Sequence, residues 1–292
     1  MRIFRINHVT SYSYESMVHR SRNLCLQLPR LLPYQEIHKE CITINPIPES
    51  TFELSDGLGN RLCDFTVVNE HKEFSVAMDL LVTVHARQWP RGCSTRSQAL
   101  DLMKQLRNPR HLESLPYLYP SHHVQWDSGI ELLTADLLHD GLPPWECGRV
   151  VMERIFREWK FQANVTGIHT TVHDLLSNRV GVCQDFSHLM LAAIRQLGFP
   201  ARYVSGYIET LPKPGRPKLI GADVSHAWVQ VYDPLGGWMD FDPTNHLIPS
   251  EQHITVAFGR DFADISPLRG LVSGGGKQTM KVSVDVSAQA GI

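Results

Sequence analysis

Phe74, Val76, Met78, Leu80, Val82 and Val84 put an apolar side chain at every second position. No helix can use that period, because residues on one helical face recur at three and four. The stretch is therefore a strand with one buried face. Leu24-Cys-Leu-Gln-Leu28 repeats the pattern earlier in the chain. Turn signals separate these runs at Pro29, at Pro46 to Pro48, at Asp56-Gly57 and at Gly59-Asn60. Residues 1–88 are thus predicted to form a small antiparallel β-sandwich-like domain.

With 292 residues the chain is long enough for a second unit with its own core. Its 28 basic and 30 acidic side chains leave a formal net charge of −2 without any basic run, which excludes a phosphate-neutralising nucleic-acid surface. The first residues, Met-Arg-Ile-Phe-Arg-Ile-Asn-His, contain no apolar leader core, and no run approaches the roughly 18 apolar residues of a membrane helix. A cytoplasmic protein with no nucleic-acid and no membrane partner is expected. The six cysteines contain no Cys-x-x-Cys pair, so reduced thiols are expected, with Cys25, Cys41, Cys63, Cys93 and Cys147 as packing residues.

From position 89 to 142 the composition shifts toward Pro, Arg, His and Tyr, as in Leu115-Pro-Tyr-Leu-Tyr-Pro120. This reads as a connector carrying helices near 97–106 and 128–138. Its His111, His122 and His123 lack metal-ligand spacing and are taken as solvated. Residues 143–292 begin with Pro143-Pro144, which opens a helix bearing Val150, Val151, Ile155, Phe156 and Trp159. A short helix near 173–176 follows, and then Gly181 to Leu197, where Phe186, Leu189, Met190, Ala193 and Leu197 form an apolar stripe before Gly198 and Pro200 stop the helix. Strands are predicted at 201–208, 227–232 and 238–241, with a flexible loop at Pro212 to Pro217 and one alternating run at Val282, Val284 and Val286. The fold class is α+β.

Cys183 lies in the first turn of the Gly181–Leu197 helix. Free N–H groups and the positive end of the helix dipole favour thiolate over thiol there. A cysteine nucleophile needs a base and a group that orients the base. His226 begins the 227–232 strand, and Asp240 and Asp242 lie on the returning strand. A plain four-residue turn would set His226 opposite Asn245 and Asp242 opposite Val229, so a His226–Asp242 contact requires a bulge or an offset register. Spacing alone does not choose between the two carboxylates.

These blocks carry a resemblance. Gly181-Val-Cys-Gln-Asp-Phe-Ser-His188, Pro200-Ala-Arg-Tyr-Val-Ser-Gly-Tyr207, Ser225-His-Ala-Trp-Val229 and Gly237-Trp-Met-Asp-Phe-Asp-Pro-Thr-Asn245 resemble the core of the bacterial transglutaminase-like family, whose members are also described as cysteine proteases. His8 to Tyr14, Leu28-Pro-Arg30 and Asp56-Gly-Leu-Gly-Asn60 are similar to the β-rich domain preceding that core, and Gly259 to Gly270 matches its tail. The resemblance implies a papain-like core, with a cysteine-bearing helix packed on an antiparallel sheet. It also implies Cys183 as nucleophile, His226 as general base and acid, and Asp242 as the orienting carboxylate. The backbone N–H of Cys183 would hold the oxyanion together with a second donor, for which Trp159, Gln162 and Gln184 are candidates. Trp228 and Tyr207 are candidate substrate contacts, and Trp228 and Trp238 each fit either a substrate platform or hairpin packing. His188 falls about 140° around the helix from Cys183 and reads as structural, while His246 flanks the site.

The expected function is acyl transfer on a carboxamide or peptide bond of a protein or peptide substrate. Hydrolysis is favoured over transfer to an amine, and a non-catalytic binding module is the rival. No cofactor is expected, and no Asp-x-Asp-x-Asp-Gly calcium loop is present.

Overall fold

The computed structural model describes residues 1–89, 93–105, 108–138, 142–163, 167, 170–209, 223 and 225–289. The N-terminal region is built from β1 (Arg2–Cys25), β2 (Gln35–Asn45), β3 (Ser50–Ser55), β4 (Arg61–Val67) and β5 (His71–Val84). All six alternating apolar residues of β5 are buried, as its period predicts. β1 is 24 residues long and serves two groups of strands. Its first half pairs with β5 and its second half with β4, and the register breaks between Ser13 and Val18. Such an irregularity lets one strand bend and turn its pairing face.

The described residues between 89 and 142 form short pieces: α1 (Arg96–Met103), α2 (Pro109–Ser114) and α3 (Glu131–Thr134), with 3-10 turns at 115–117, 128–130 and 135–138. The predicted 97–106 helix is α1, and its expected last residue, Leu106, lies outside the described residues, as does the predicted Pro212–Pro217 loop. The core follows with α4 (Pro144–Glu158), β6 (Lys160–Phe161), α5 (Val172–Asn178), β7 (Val180–Gly181) and α6 (Cys183–Gln196). Its sheet is made of β8 (Ala201–Ile208), β9 (Ser225–Asp233), β10 (Gly237–Phe241) and β11 (His253–Gly259), in the antiparallel order β10-β9-β8-β11. Among the described residues no helix is long and apolar enough to cross a membrane.

The sequence places the last alternating run with the core, and the structure corrects this. β12 (Leu268–Gly274) and β13 (Gln278–Gln289) both pair with β1, so the chain's end completes the N-terminal sheet. The open side of β1 is a row of unpaired backbone groups that needs a partner. The predicted amphipathic stripe on α6 is also an understatement. The helix is buried on nearly every side from Asp185 to Arg195, because α4, α5 and the sheet enclose it.

The N-terminal region covers the edge of the core sheet. β11 is an edge strand, and its outward backbone groups are taken up by two side-chain amides. Gln35 Nε2 donates to Thr255 O and its Oε1 accepts from Thr255 N, both at 2.9 Å. Asn60 Nδ2 donates to Phe258 O at 2.7 Å and its Oδ1 accepts from Phe258 N at 2.8 Å. Asp56 in turn holds Asn60 through its backbone N and its amide, each at 2.8 Å. The Asp56–Asn60 turn is thus an edge clamp for the core sheet.

Within the core sheet Gly206 has no room for a side chain. A Cβ there would meet Ile254 O at 2.0 Å and the Trp228 ring at 2.6 Å, whereas at Gly57 nothing lies within 4 Å. Gly206→Ala should therefore cost about 1–3 kcal/mol or more in urea unfolding, since a backbone carbonyl must move. Gly57→Ala should leave stability within about 0.5 kcal/mol of wild type. Equal effects at the two positions would contradict this packing.

Candidate active site

Cys183 is the first residue of α6 and is half-buried. Three contacts fix the entry to that helix. Asp185 Oδ2 accepts from Val182 N at 2.8 Å, which closes the first turn. β6 runs parallel to β7, and Gln162 N donates to Gly181 O at 3.0 Å. Gly181 is required because a Cβ there would lie 2.9 Å from Asp185 Cβ. The thiol is thus carried by a rigid turn whose first N–H groups have no intrahelical partner.

The β9–β10 hairpin differs from a plain four-residue turn by one position. Asp240 pairs with Gln230 and Phe241 with Val229, around a loop at 234–236 that Gly237 closes with φ 85°. Of the two devices the contact requires, this is the offset register. Cross-strand partners share a face, so His226, Trp228 and Gln230 now lie on the same side as Asp240 and Asp242. Phe241 points the other way and packs against Gly148 of α4.

The two aspartates have separate partners. Asp240 accepts from Trp228 Nε1 at 2.6 Å and Gln230 Nε2 at 2.9 Å, and forms a buried ion pair with Arg87 at 2.5 Å. Asp242 accepts from His226 Nε2 at 2.7 Å, and Cys183 lies close enough to His226 to favour its charged form. With Nε2 held by the carboxylate, Nδ1 is the ring nitrogen left for the thiol.

Asp242 is completely buried and fully used. Its Oδ1 accepts from Thr244 N at 3.0 Å and Asn245 N at 3.1 Å, which makes it the initiator of the Asp-Pro-Thr-Asn turn. Its Oδ2 accepts from His226, from Asn245 Nδ2 at 2.8 Å and from His253 Nε2 at 3.1 Å. Sequence reasoning missed His253 and the side-chain role of Asn245. Asn245 is detectable as part of the Asp-Pro-Thr-Asn block. β11, which carries His253, is buried on both faces and so shows no alternation.

Burial by itself would drive His226 neutral, but hydrogen bonds with Asp242 and Cys183 outweigh it and raise its pKa from 6.5 to about 10. Burial would likewise favour protonated Asp242, yet the hydrogen bonds from His226 and His253 hold the carboxyl well below its usual range. His253 is pushed the opposite way: burial lowers its pKa and Asp242 only partly offsets this. It therefore acts as a neutral Nε2–H donor, and its buried Nδ1 has no hydrogen-bond partner among the described residues. His226, Asp242 and His253 bring three ligand-type atoms within 4.8 Å of one another. Both imidazole Nε2 atoms are directed at one carboxylate oxygen, so the cluster is two imidazoles sharing an anion.

Several expected site residues lie elsewhere. Trp159 is buried, and its indole N–H is spent on Leu175 O at 2.8 Å, which removes it as an oxyanion donor. Trp228 is wholly buried against Val204 and Phe258, with its N–H on Asp240, and Tyr207 is buried with its hydroxyl 2.8 Å from His8 Nδ1. Neither can touch a substrate. Gln162 and Gln184 both flank the Cys183 turn: the first is exposed and the second half-buried. Trp238 packs on Tyr232 and Tyr117.

His188 is buried and accepts from Phe262 N at 3.2 Å, in keeping with a structural role. The other histidines are not one solvated cluster: His111 is buried against Tyr232, and His123 stacks on His188 at 5.2 Å. His246 stacks on Phe156 at 5.0 Å, one residue beyond Asn245. Cys25, Cys63 and Cys147 are buried, but Cys41 and Cys93 are exposed rather than packed.

Comparison with known proteins agrees with the two-part organisation. Residues 134–243 match the family model of the transglutaminase-like superfamily, and residues 4–83 match that of the bacterial transglutaminase-like N-terminal region. An uncharacterized protein of Mycobacterium tuberculosis is 32% identical over 290 residues, covering 97% of this chain and 92% of the relative. A protein-glutamine gamma-glutamyltransferase of Pseudomonas aeruginosa is 35% identical over 103 residues, which is 32% of this chain and 15% of that protein. A crystal structure of a candidate cysteine protease from Cytophaga hutchinsonii superimposes with a TM-score of 0.75 at 21% identity, covering 100% of this chain and 92% of that one.

The charge pairing has a pH signature. The raised pKa of His226 contributes stability that is complete below about 6.5 and is lost as pH rises through about 10. The lowered pKa of Asp242 contributes stability present above 3.8 and lost as pH falls further. Asp242→Asn should therefore cost about 3–5 kcal/mol in denaturant unfolding at pH 5.5, and the deficit should narrow toward pH 10. An equal cost at both pH values would show that the pair is not held by charge.

Proposed function

Because the chain belongs to the transglutaminase-like superfamily across both its N-terminal region and its core, we propose that it is a cysteine-dependent acyl-transfer enzyme with Cys183, His226 and Asp242 as its catalytic group. The observation that carries this reading is the buried His226 Nε2–Asp242 bond at 2.7 Å, with Cys183 near enough to His226 to favour its charged form. This is the nucleophile, base and orienting group of a thiol acyltransferase. With His226 biased toward its cationic form, the proton that the thiol must lose already has its place.

In the first half-reaction Cys183 Sγ bonds to the carbonyl carbon of a carboxamide or peptide bond. The tetrahedral oxyanion is met by the Cys183 backbone N–H and a donor from Gln162 or Gln184. As the C–N bond breaks, His226 gives its proton to the leaving nitrogen, and a thioester and an amine or ammonia result. In the second half-reaction His226 removes a proton from the acceptor, which attacks the thioester and restores the thiol. Asp242 keeps the imidazole aligned through both steps.

Water as acceptor makes the enzyme a protease or amidase acting on a protein or peptide. Transfer to an amine is the second reading, favoured by the stretch of 35% identity to the Pseudomonas aeruginosa protein-glutamine gamma-glutamyltransferase.

Two measurements test this. Iodoacetamide at pH 6 should modify Cys183 faster than it modifies a free peptide thiol, and His226→Ala should abolish the advantage. Incubation with a glutamine-containing peptide and a labelled amine should then release ammonia or new termini, or incorporate the amine. Either activity should fall by on the order of 10⁴-fold in Cys183→Ala. Ordinary thiol reactivity with neither product would leave a binding module and overturn the proposal.

A further inference from the structure

Between the core sheet and the segment that leaves the N-terminal region lies a cavity of about 610 Å³. Tyr34, Trp89, Trp238 and Phe258 supply aromatic walls, and Arg87 and Arg202 bring two guanidinium groups to it. No residue placed in the catalytic group lines it. On the β9–β10 hairpin it sits at the Gln230–Asp240 pair, beyond Trp228 from His226.

The charges lining this cavity do not balance. Arg87 is almost fully buried and is neutralised by the equally buried Asp240. Arg202 has no carboxylate within ion-pair distance among the described residues. Gln230 explains why: its Nε2 donates to Asp240 at 2.9 Å while its Oε1 accepts from Arg202 Nε at 2.7 Å, so a neutral amide stands between the cation and the acid. The faces of the Arg202 guanidinium are covered by Phe258 at 3.6 Å and Trp238 at 4.1 Å. A partly buried cation with no ion-pair partner is costly, and burial lowers its pKa to about 10. Arg87 also keeps a buried Nε–H with no hydrogen-bond partner among the described residues. Of the other titratable groups on the wall, His85 is engaged with Glu36 at 2.8 Å and the Tyr34 hydroxyl lies 3.4 Å from Thr255 Oγ1.

We propose that this cavity is a binding site for a small aromatic carboxylate. One negative charge balances Arg202, and the planar carboxylate matches the planar guanidinium fork. The aromatic walls accept a flat apolar body. The site is independent of the acyl-transfer reading.

The test uses the full chain with benzoate as probe and benzamide as its neutral match. Calorimetric titration should show saturable benzoate binding that benzamide does not reproduce. Arg202→Met should weaken it at least 10-fold, whereas Cys183→Ala should leave it unchanged. Crystals of the wild-type protein soaked in 4-bromobenzoate should show bromine density between Trp238 and Tyr34, a readout that holds even if Arg202→Met fails to fold. The proposal is overturned if benzamide binds as well as benzoate, if Arg202→Met binds benzoate like wild type, if Cys183→Ala abolishes binding, or if the bromine lies outside the cavity.

Discussion

The carboxylate of Asp242 is the point on which the site converges. It lies wholly inside the protein and accepts five hydrogen bonds, two from the backbone of its own turn and three from the side chains of His226, Asn245 and His253. A buried anion is tolerated only when its lone pairs are met in this way. The two oxygens divide the work, since Oδ1 shapes the loop that follows β10 and Oδ2 holds two imidazoles. Loop geometry and imidazole geometry therefore cannot change independently. The neutral His253 supplies a donor without a second positive charge, so the stabilising charge of Asp242 falls on His226.

That arrangement depends on strands held from outside. His253 belongs to β11, the edge of the core sheet, and Gln35 and Asn60 pair with that edge as a further strand would. Arg87 adds a hydrogen bond to His253 O at 3.2 Å while its charge meets Asp240. The N-terminal region thus reaches the Asp242 carboxylate through one intervening histidine. A β-rich domain preceding the core therefore has a physical reason to be present: without it an edge strand carrying a buried imidazole would face solvent.

Much of this is legible in the residues. The period of two in β5, the helix that begins at Cys183 and the ordered Cys, His and Asp blocks each carry their information locally. The choice of Asp242 over Asp240 does not, because it turns on a one-residue register set by a three-residue loop and Gly237. β11 escapes detection because both its faces are buried, and β6 and β7 because two residues have no period. The destination of β12 and β13 is a tertiary fact that alternation cannot express. Trp228, Trp159 and Tyr207 depart from expectation for a shared reason. Aromatic residues beside a site attract a substrate role, and whether their polar ends already have partners is visible only in three dimensions.

The central claim is that an acyl group passes through Cys183. The most direct test exposes the protein to an activated ester such as p-nitrophenyl acetate, quenches it in acid and maps the adduct by mass spectrometry. The account predicts one acetyl group, removed by neutral hydroxylamine as a thioester should be, on the peptide containing Cys183 and absent from the exposed Cys41 and Cys93. An adduct distributed over Cys41 and Cys93, or none on Cys183, would contradict it.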